Sequence, residues 1–174
     1  MDLSLERIFL NHSIEKLNQY TGRIETCLKM LTEEQIWARG NANENAIGNL
    51  VLHLCGNVRQ WIVAGVGNQP DIRERDKEFA ATGGVPATEL MARLRATVQE
   101  ASATIEPLTG TRLAEPRSIQ KYDVTVLEAI YHVVEHFSMH TGQILFATKM
   151  LTGTDLGFYR HLSSAAAARS EVTP

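Results

Sequence analysis

The chain has 174 residues, 44% of them hydrophobic and 21% charged, which is enough apolar material for one globular core without disulfide staples. A net charge of −3 with no long basic run leaves out the footprint that phosphate neutralisation needs, so nucleic acid is not an expected partner. No stretch approaches the 18 or so apolar residues of a membrane span, and the acidic start Met1-Asp2-Leu3-Ser4-Leu5-Glu6 does not read as a signal peptide, so no membrane partner and a cytoplasmic location are expected.

The first predicted helix runs from about Leu3 to Leu31, on Leu10, Ile14, Leu17, Ile24, Leu28 and Leu31 at helical spacing. Gly22 weakens it locally. Thr32-Glu33-Glu34-Gln35 has the pattern of a capping box, and Gly40 with three asparagines then breaks the chain. A second helix is predicted from about Asn45 to Val66. Its apolar residues Leu50, Val51, Leu52, Leu54, Cys55, Val58, Trp61 and Ile62 wrap more than half the circumference, leaving a polar stripe of Asn49, His53, Asn57 and Gln60. Cys27 and Cys55 form no C-x-x-C motif and read as small buried hydrophobes. Trp37 and Trp61 are expected in the core. The connector Asn68 to Val85 reads as a solvated loop whose arginines could capture an acidic substrate. A third helix begins after Gly83-Gly84-Val85-Pro86 and runs to about Leu108. Thr109 to Tyr122 is read as irregular, with no strand anywhere in the chain.

Thr125-x-x-Glu128 is a second capping box and launches the fourth helix, to about Leu151, with Gly153 as its stop. At about 100° per residue, Ile130, Val133, Val134, Phe137, Thr141, Ile144, Leu145 and Thr148 share the core face, while Glu128, Glu135, Ser138 and Lys149 are solvated. Bordering the apolar arc run His132, His136, His140 and Gln143. Imidazole is the commonest ligand for divalent transition metals, and positions four apart on a helix can share one ion. At about 1.5 Å per residue, His132 and His140 are roughly 12 Å apart along the axis, so one ion takes one adjacent pair. The polar stripe of the second helix, His53 included, needs partners that a metal and the groups around it would supply, and Asn49, Asn57 and Gln143 read as groups that orient imidazoles. A helical bundle with polar seams and no metal is the other reading of the same pattern. Four helices joined by loops make the fold all-α, a four-helix bundle of up-down type over residues 1–160, followed by a tail, 161–174, expected to be frayed or disordered.

Asn49-Leu50-Val51-Leu52-His53-Leu54, together with His132-Val133-Val134-Glu135-His136-Phe137-Ser138-Met139-His140-Thr141-Gly142-Gln143-Ile144, resembles the DinB/YfiT-like superfamily of metal-dependent proteins from about residue 5 to 160. The resemblance implies a four-helix bundle, a homodimer, and a divalent ion (zinc, nickel, iron, manganese or cobalt) held by His53, His136 and His140. His132 is left one turn away as the weak candidate for proton transfer. The arginine usual before Gly-Gln is Thr141 here. Three neutral imidazoles leave a coordination position open, as in catalytic zinc sites, where a bound water or thiol loses its proton near neutral pH. The resemblance thus implies a thiol S-transferase or hydrolase acting on a small electrophile, with a small-molecule thiol as co-substrate. The alternative is a non-catalytic metal-binding or stress-related bundle.

Overall fold

In a computed structural model, residues 4–162 are described; the tail expected at 161–174 lies almost entirely outside them. The protein is mostly helical. Helix α1 spans Leu5–Met30 and is capped by the Ser4 hydroxyl, which accepts from the Arg7 N–H. A single turn, α2 (Glu33–Trp37), follows with the predicted Thr32/Gln35 capping box in place. Helix α3 (Ile47–Val58) continues without a break into a π-helical stretch, Arg59–Val66, whose wider turns appear in the bond from the Gly67 N–H back to the Ile62 carbonyl at 2.8 Å. The connector then forms one short helix, α4 (Arg75–Ala80), before α5 (Ala87–Ile105) and the turn α6 (Gly110–Leu113). Helix α7 (Val126–Thr152) begins at the Thr125/Glu128 capping box and stops at Gly153, whose φ of +63° ends it in the left-handed conformation.

The long helices share one core. Helix α1 packs on α5 and α7, and α3 with its π-helical continuation packs on the same two. Leu10, Leu17, Ile24 and Leu28 of α1 meet Val51, Leu54, Val58 and Ile62, Leu90, Leu94 and Val98, and Ile130, Val133, Phe137 and Ile144 in the buried centre. Each such side chain contributes on the order of 1.5–3 kcal/mol relative to exposure. The apolar arc expected on the fourth helix is buried, with Val134 and Leu145 at its margin. Trp61 is buried, and Trp37 is packed against the core's edge. No helix of the described residues is long and apolar enough to cross a membrane.

Two expectations need correction. The chain does contain strands: β1 (Pro116–Ile119) and β2 (Tyr122–Thr125) form an antiparallel hairpin with Ile119 opposite Tyr122. Its two-residue turn, Gln120-Lys121, has positive φ at both positions, +52° and +70°, the geometry usually supplied by Asn-Gly. The connector is also more than a solvated loop. Asp71, Glu74, Arg75, Asp76 and Lys77 are exposed, but the Arg73 side chain is only 3% exposed and Glu78 is buried.

Candidate metal centre

Helix α3 supplies His53 and helix α7 supplies His136 and His140, one turn apart. The His136 Nε2 lies 3.1 Å from the Nε2 of His53 and 3.1 Å from that of His140. One ring nitrogen from each residue falls within 4.8 Å of the other two, so the three histidines could hold a metal ion. His132, a turn earlier, is outside the cluster. Its ring packs against Trp61 at 4.1 Å between centroids and reaches His136 only at 5.6 Å.

The far side of each ring decides what these nitrogens present to one another. His53 Nδ1 is 3.1 Å from Glu78 Oε2. Glu78 in turn accepts two bonds from Arg73, Nε to Oε1 and Nη2 to Oε2, both at 2.8 Å. Burial works to raise the Glu78 carboxyl, but the hydrogen bonds from Arg73 and His53 outweigh it and hold its pKa below the usual carboxylate range. Glu78 is therefore an anion and can only accept. The carboxylate favours a proton on His53 Nδ1 and a bare Nε2, whereas Arg73 Nη2, a donor also 3.1 Å from that Nδ1, favours the other tautomer; the form with the proton on Nδ1 is the one whose Nε2 can ligate. His140 Nδ1 donates to Gln143 Oε1 at 2.7 Å, which leaves the Nε2 of His140 bare as well.

In that form of His53, His136 Nε2 faces two lone pairs. A proton on it can relieve one of those contacts and leave the other opposed. Among the described residues, the Nδ1 of His136 is buried without a partner, as is Asn57 Oδ1, and both residues line the same cavity. Burial, followed by the neighbouring imidazoles, pushes the His136 pKa down to about 3, and burial also lowers those of His140 and His132. The rings of His136 and His140 are therefore neutral near pH 7, the state that ligates. A tetrahedral site with bonds of about 2.0 Å has edges of about 3.3 Å, close to the two 3.1 Å separations at His136. A divalent cation fits this donor set because it satisfies all three lone pairs at once.

Of the amides expected to orient imidazoles, Gln143 does so. Asn49 acts one step removed: its Nδ2 donates to the carbonyls of Glu78 at 2.9 Å and Ala81 at 2.7 Å, and Arg39 donates to Asn49 Oδ1, Phe79 and Ala81. Asn49 therefore fastens the segment that carries Glu78. Gln60 accepts from Arg73 Nη1 at 2.9 Å and bonds Gln120 at the hairpin turn. Sequence reasoning missed Glu78 and Arg73 as parts of the site. The one local signal was Phe79, which packs on His53 at 4.8 Å and marks α4 as docked. Gly56, one turn after His53, gives Glu78 its room, since a Cβ there would sit 1.8 Å from Glu78 Oε1.

Beside the cluster opens a cavity of about 540 Å³, with His53 and His136 in its wall and Trp61, Arg75, Tyr122 and His132 around it. Its size is that of a small-molecule site.

Comparison with known proteins gives the fold and little chemistry. A family model described as "Protein of unknown function (DUF1572)" matches residues 4–166. No curated protein matches the chain. Seven chains of solved structure do, among them the crystal structure of a "conserved protein of locus from Enterococcus faecalis". It superposes with a TM-score of 0.70 at 15% identity, covering 88% of this chain and 100% of the other, a likeness of fold alone.

Proposed function

This chain belongs to the DUF1572 family, a family of unknown function, and from its three-histidine cluster we propose a metal-binding protein with an open coordination position that serves as a thiol S-transferase or hydrolase toward a small electrophile. The observation that carries this reading is the convergence of the Nε2 atoms of His53, His136 and His140, with the far sides of the His53 and His140 rings held by Glu78 and Gln143. The site belongs, in this reading, to a four-helix bundle of DinB/YfiT type, a view supported by α1, α3, α5 and α7 packing around one core.

A divalent ion at such a site, whether zinc, nickel, iron, manganese or cobalt, supplies Lewis acidity that brings the pKa of a bound thiol or water toward neutrality. The protein's own groups do the rest. Glu78 and Gln143 hold two imidazoles in orientation, and Arg73 keeps Glu78 ionised. Trp61, buried against His132, walls the cavity from bulk water on one side. His132 is the group placed to hold or pass a proton at the cavity, since it lines it without joining the cluster. A homodimer is part of the proposal, supported by Tyr131, Met139, Phe146 and Met150, all more than half exposed on one side of α7.

Metal content by mass spectrometry tests the reading, on tag-free protein and on the His53/His136/His140 triple alanine variant. Near-stoichiometric ion in the wild type and none in the variant is expected, followed by thiol-transfer and hydrolysis assays with that ion. Wild-type protein that takes up no zinc, nickel, manganese or iron on reconstitution would overturn it. Ion-loaded protein that binds no thiol and turns over no electrophile would favour the non-catalytic alternative.

A further inference from the structure

The charge carried by the cavity wall says what enters it. Apart from imidazoles, its charged groups are Arg73, Arg75 and Glu128. Arg73 is cancelled by the carboxylate of Glu78, which it grips through two bonds. Glu128 is committed to the start of α7, where its Oε2 accepts from the backbone N–H of Thr125 at 2.6 Å and from its hydroxyl at 2.8 Å. Arg75 has no carboxylate partner among the described residues. Its guanidinium lies over the Phe79 ring at 4.9 Å, and that ring packs on His53, so the cation is set at the side of the cavity by the same residue that braces the site. An ion held by three neutral imidazoles would add its whole charge to that of Arg75, because none of its ligands offsets it.

The uncharged part of the wall combines the aromatic rings of Trp61 and Tyr122 with Val124 and the amides of Asn57 and Gln120. Trp61 packs within 4.1 Å of His132 and 6.3 Å of Tyr122 by ring centroids, and Tyr122 is 63% exposed, leaving ring surface free at the opening. The buried and unpartnered Asn57 Oδ1 belongs to a residue of the same wall. A free cation beside flat apolar surface selects a carboxylate joined to a flat apolar body, since either feature alone uses half of the wall.

We infer that this cavity binds a small organic anion with a planar apolar body, its carboxylate on Arg75 and its body against Trp61 and Tyr122. The inference deepens the proposed function and rests on it for what the bound molecule then meets at the histidines. Recognition by Arg75 and the aromatic wall involves this chain's residues alone.

Calorimetric titration of the full chain with benzoate, benzylamine and acetate tests it, on protein with metal added and on protein stripped by chelator, with metal content measured in parallel. Benzoate is expected to bind at least tenfold tighter than benzylamine, which reverses the charge, and than acetate, which lacks the ring. Arg75→Gln should weaken benzoate at least tenfold with metal content and melting temperature unchanged. Tyr122→Ala should bring benzoate several-fold closer to acetate. Benzylamine binding as well as benzoate, an Arg75→Gln variant that binds benzoate like the wild type, or no benzoate binding in either state would overturn the inference. Protein that takes up no ion yet binds benzoate through Arg75 would sink the metal reading and leave this one standing. Ion-loaded protein indifferent to ligand charge would do the reverse.

Discussion

Gly56→Ala perturbs the site sharply while replacing no charged group and no histidine. In an ordinary helix the change stabilises by about 0.8–1.0 kcal/mol. Here the new methyl would lie 1.8 Å from Glu78 Oε1, 2.7 Å from its carboxyl carbon and 2.9 Å from Arg73 Nε. Reaching ordinary contact requires the carboxylate to retreat by about 1.5 Å or more, and neither Glu78 nor Arg73 has solvent to retreat into, with side chains 10% and 3% exposed. Such a shift breaks the 3.1 Å bond to His53 or one of the two bonds to Arg73. A buried hydrogen bond to a charged group is worth about 1.5–3 kcal/mol, so the loss exceeds the helical gain and the variant should be less stable by about 0.5–2 kcal/mol. Freed from Glu78, the His53 ring loses the acceptor that favours a proton on Nδ1, and metal affinity should fall about 10–100-fold. Urea denaturation and competitive chelator titration read the two effects. In a Glu78→Ala background the methyl has room, and Gly56→Ala should recover its ordinary helical gain. Equal costs in both backgrounds, or a single variant as stable and as metal-avid as the wild type, would refute the reasoning.

His136, with its pKa pushed to about 3 by burial and then by its neighbouring imidazoles, makes stability pH-dependent. The unfolded chain takes up a proton near pH 6.5 that the folded protein refuses until about pH 3, so metal-free protein should lose stability as pH falls through that window. Urea midpoints at pH 7, 5.5 and 4.5 should fall more steeply for the wild type than for His136→Gln; parallel slopes would contradict this. Burial pushes the Cys55 thiol up to about 12 and raises that of Cys27, so neither should react with iodoacetamide at pH 8 until the protein unfolds. Mass-resolved labelling of native protein at either site would count against it. Lys121→Gly should stabilise by about 1 kcal/mol, because Lys121 holds a φ of +70° that glycine adopts freely, and that shifts the melting temperature upward by about 2–4 °C. An unchanged or lower melting temperature would show that the turn is not strained.

What could be read from the residues was whatever periodicity writes. The core face of α7 and the register that brings His136 and His140 together follow from 3.6 residues per turn, and the polar stripe of α3 stood out because its neighbours are apolar. Glu78 left no such trace. It reaches His53 from 25 positions away on a helix of six residues, too short for a pattern and set among charges that look like solvated loop. The hairpin escaped for the opposite reason: Gln120-Lys121 does the work of a turn without the residues that announce one, and the lost signal is made good by tertiary bonds from Gln120 to Trp61 and Gln60. Asn49 was legible as buried and polar, but its partners, backbone carbonyls of residues 78 and 81, exist only once the connector is docked.

Because His136 and His140 ride on one uninterrupted helix while His53 comes from another, the cluster works like a caliper with one fixed jaw. The bite between the two α7 nitrogens depends on local helix geometry and the two side-chain rotamers, not on how the helices pack. The reach to the third is set by how closely α3 and α7 nest, a distance governed by buried side chains such as Leu54, Val58, Val133 and Phe137. If the three histidines hold an ion, preference among ions of different radius would depend on aliphatic packing away from the nitrogens, and a methyl group deleted from that seam would retune it with every histidine left in place.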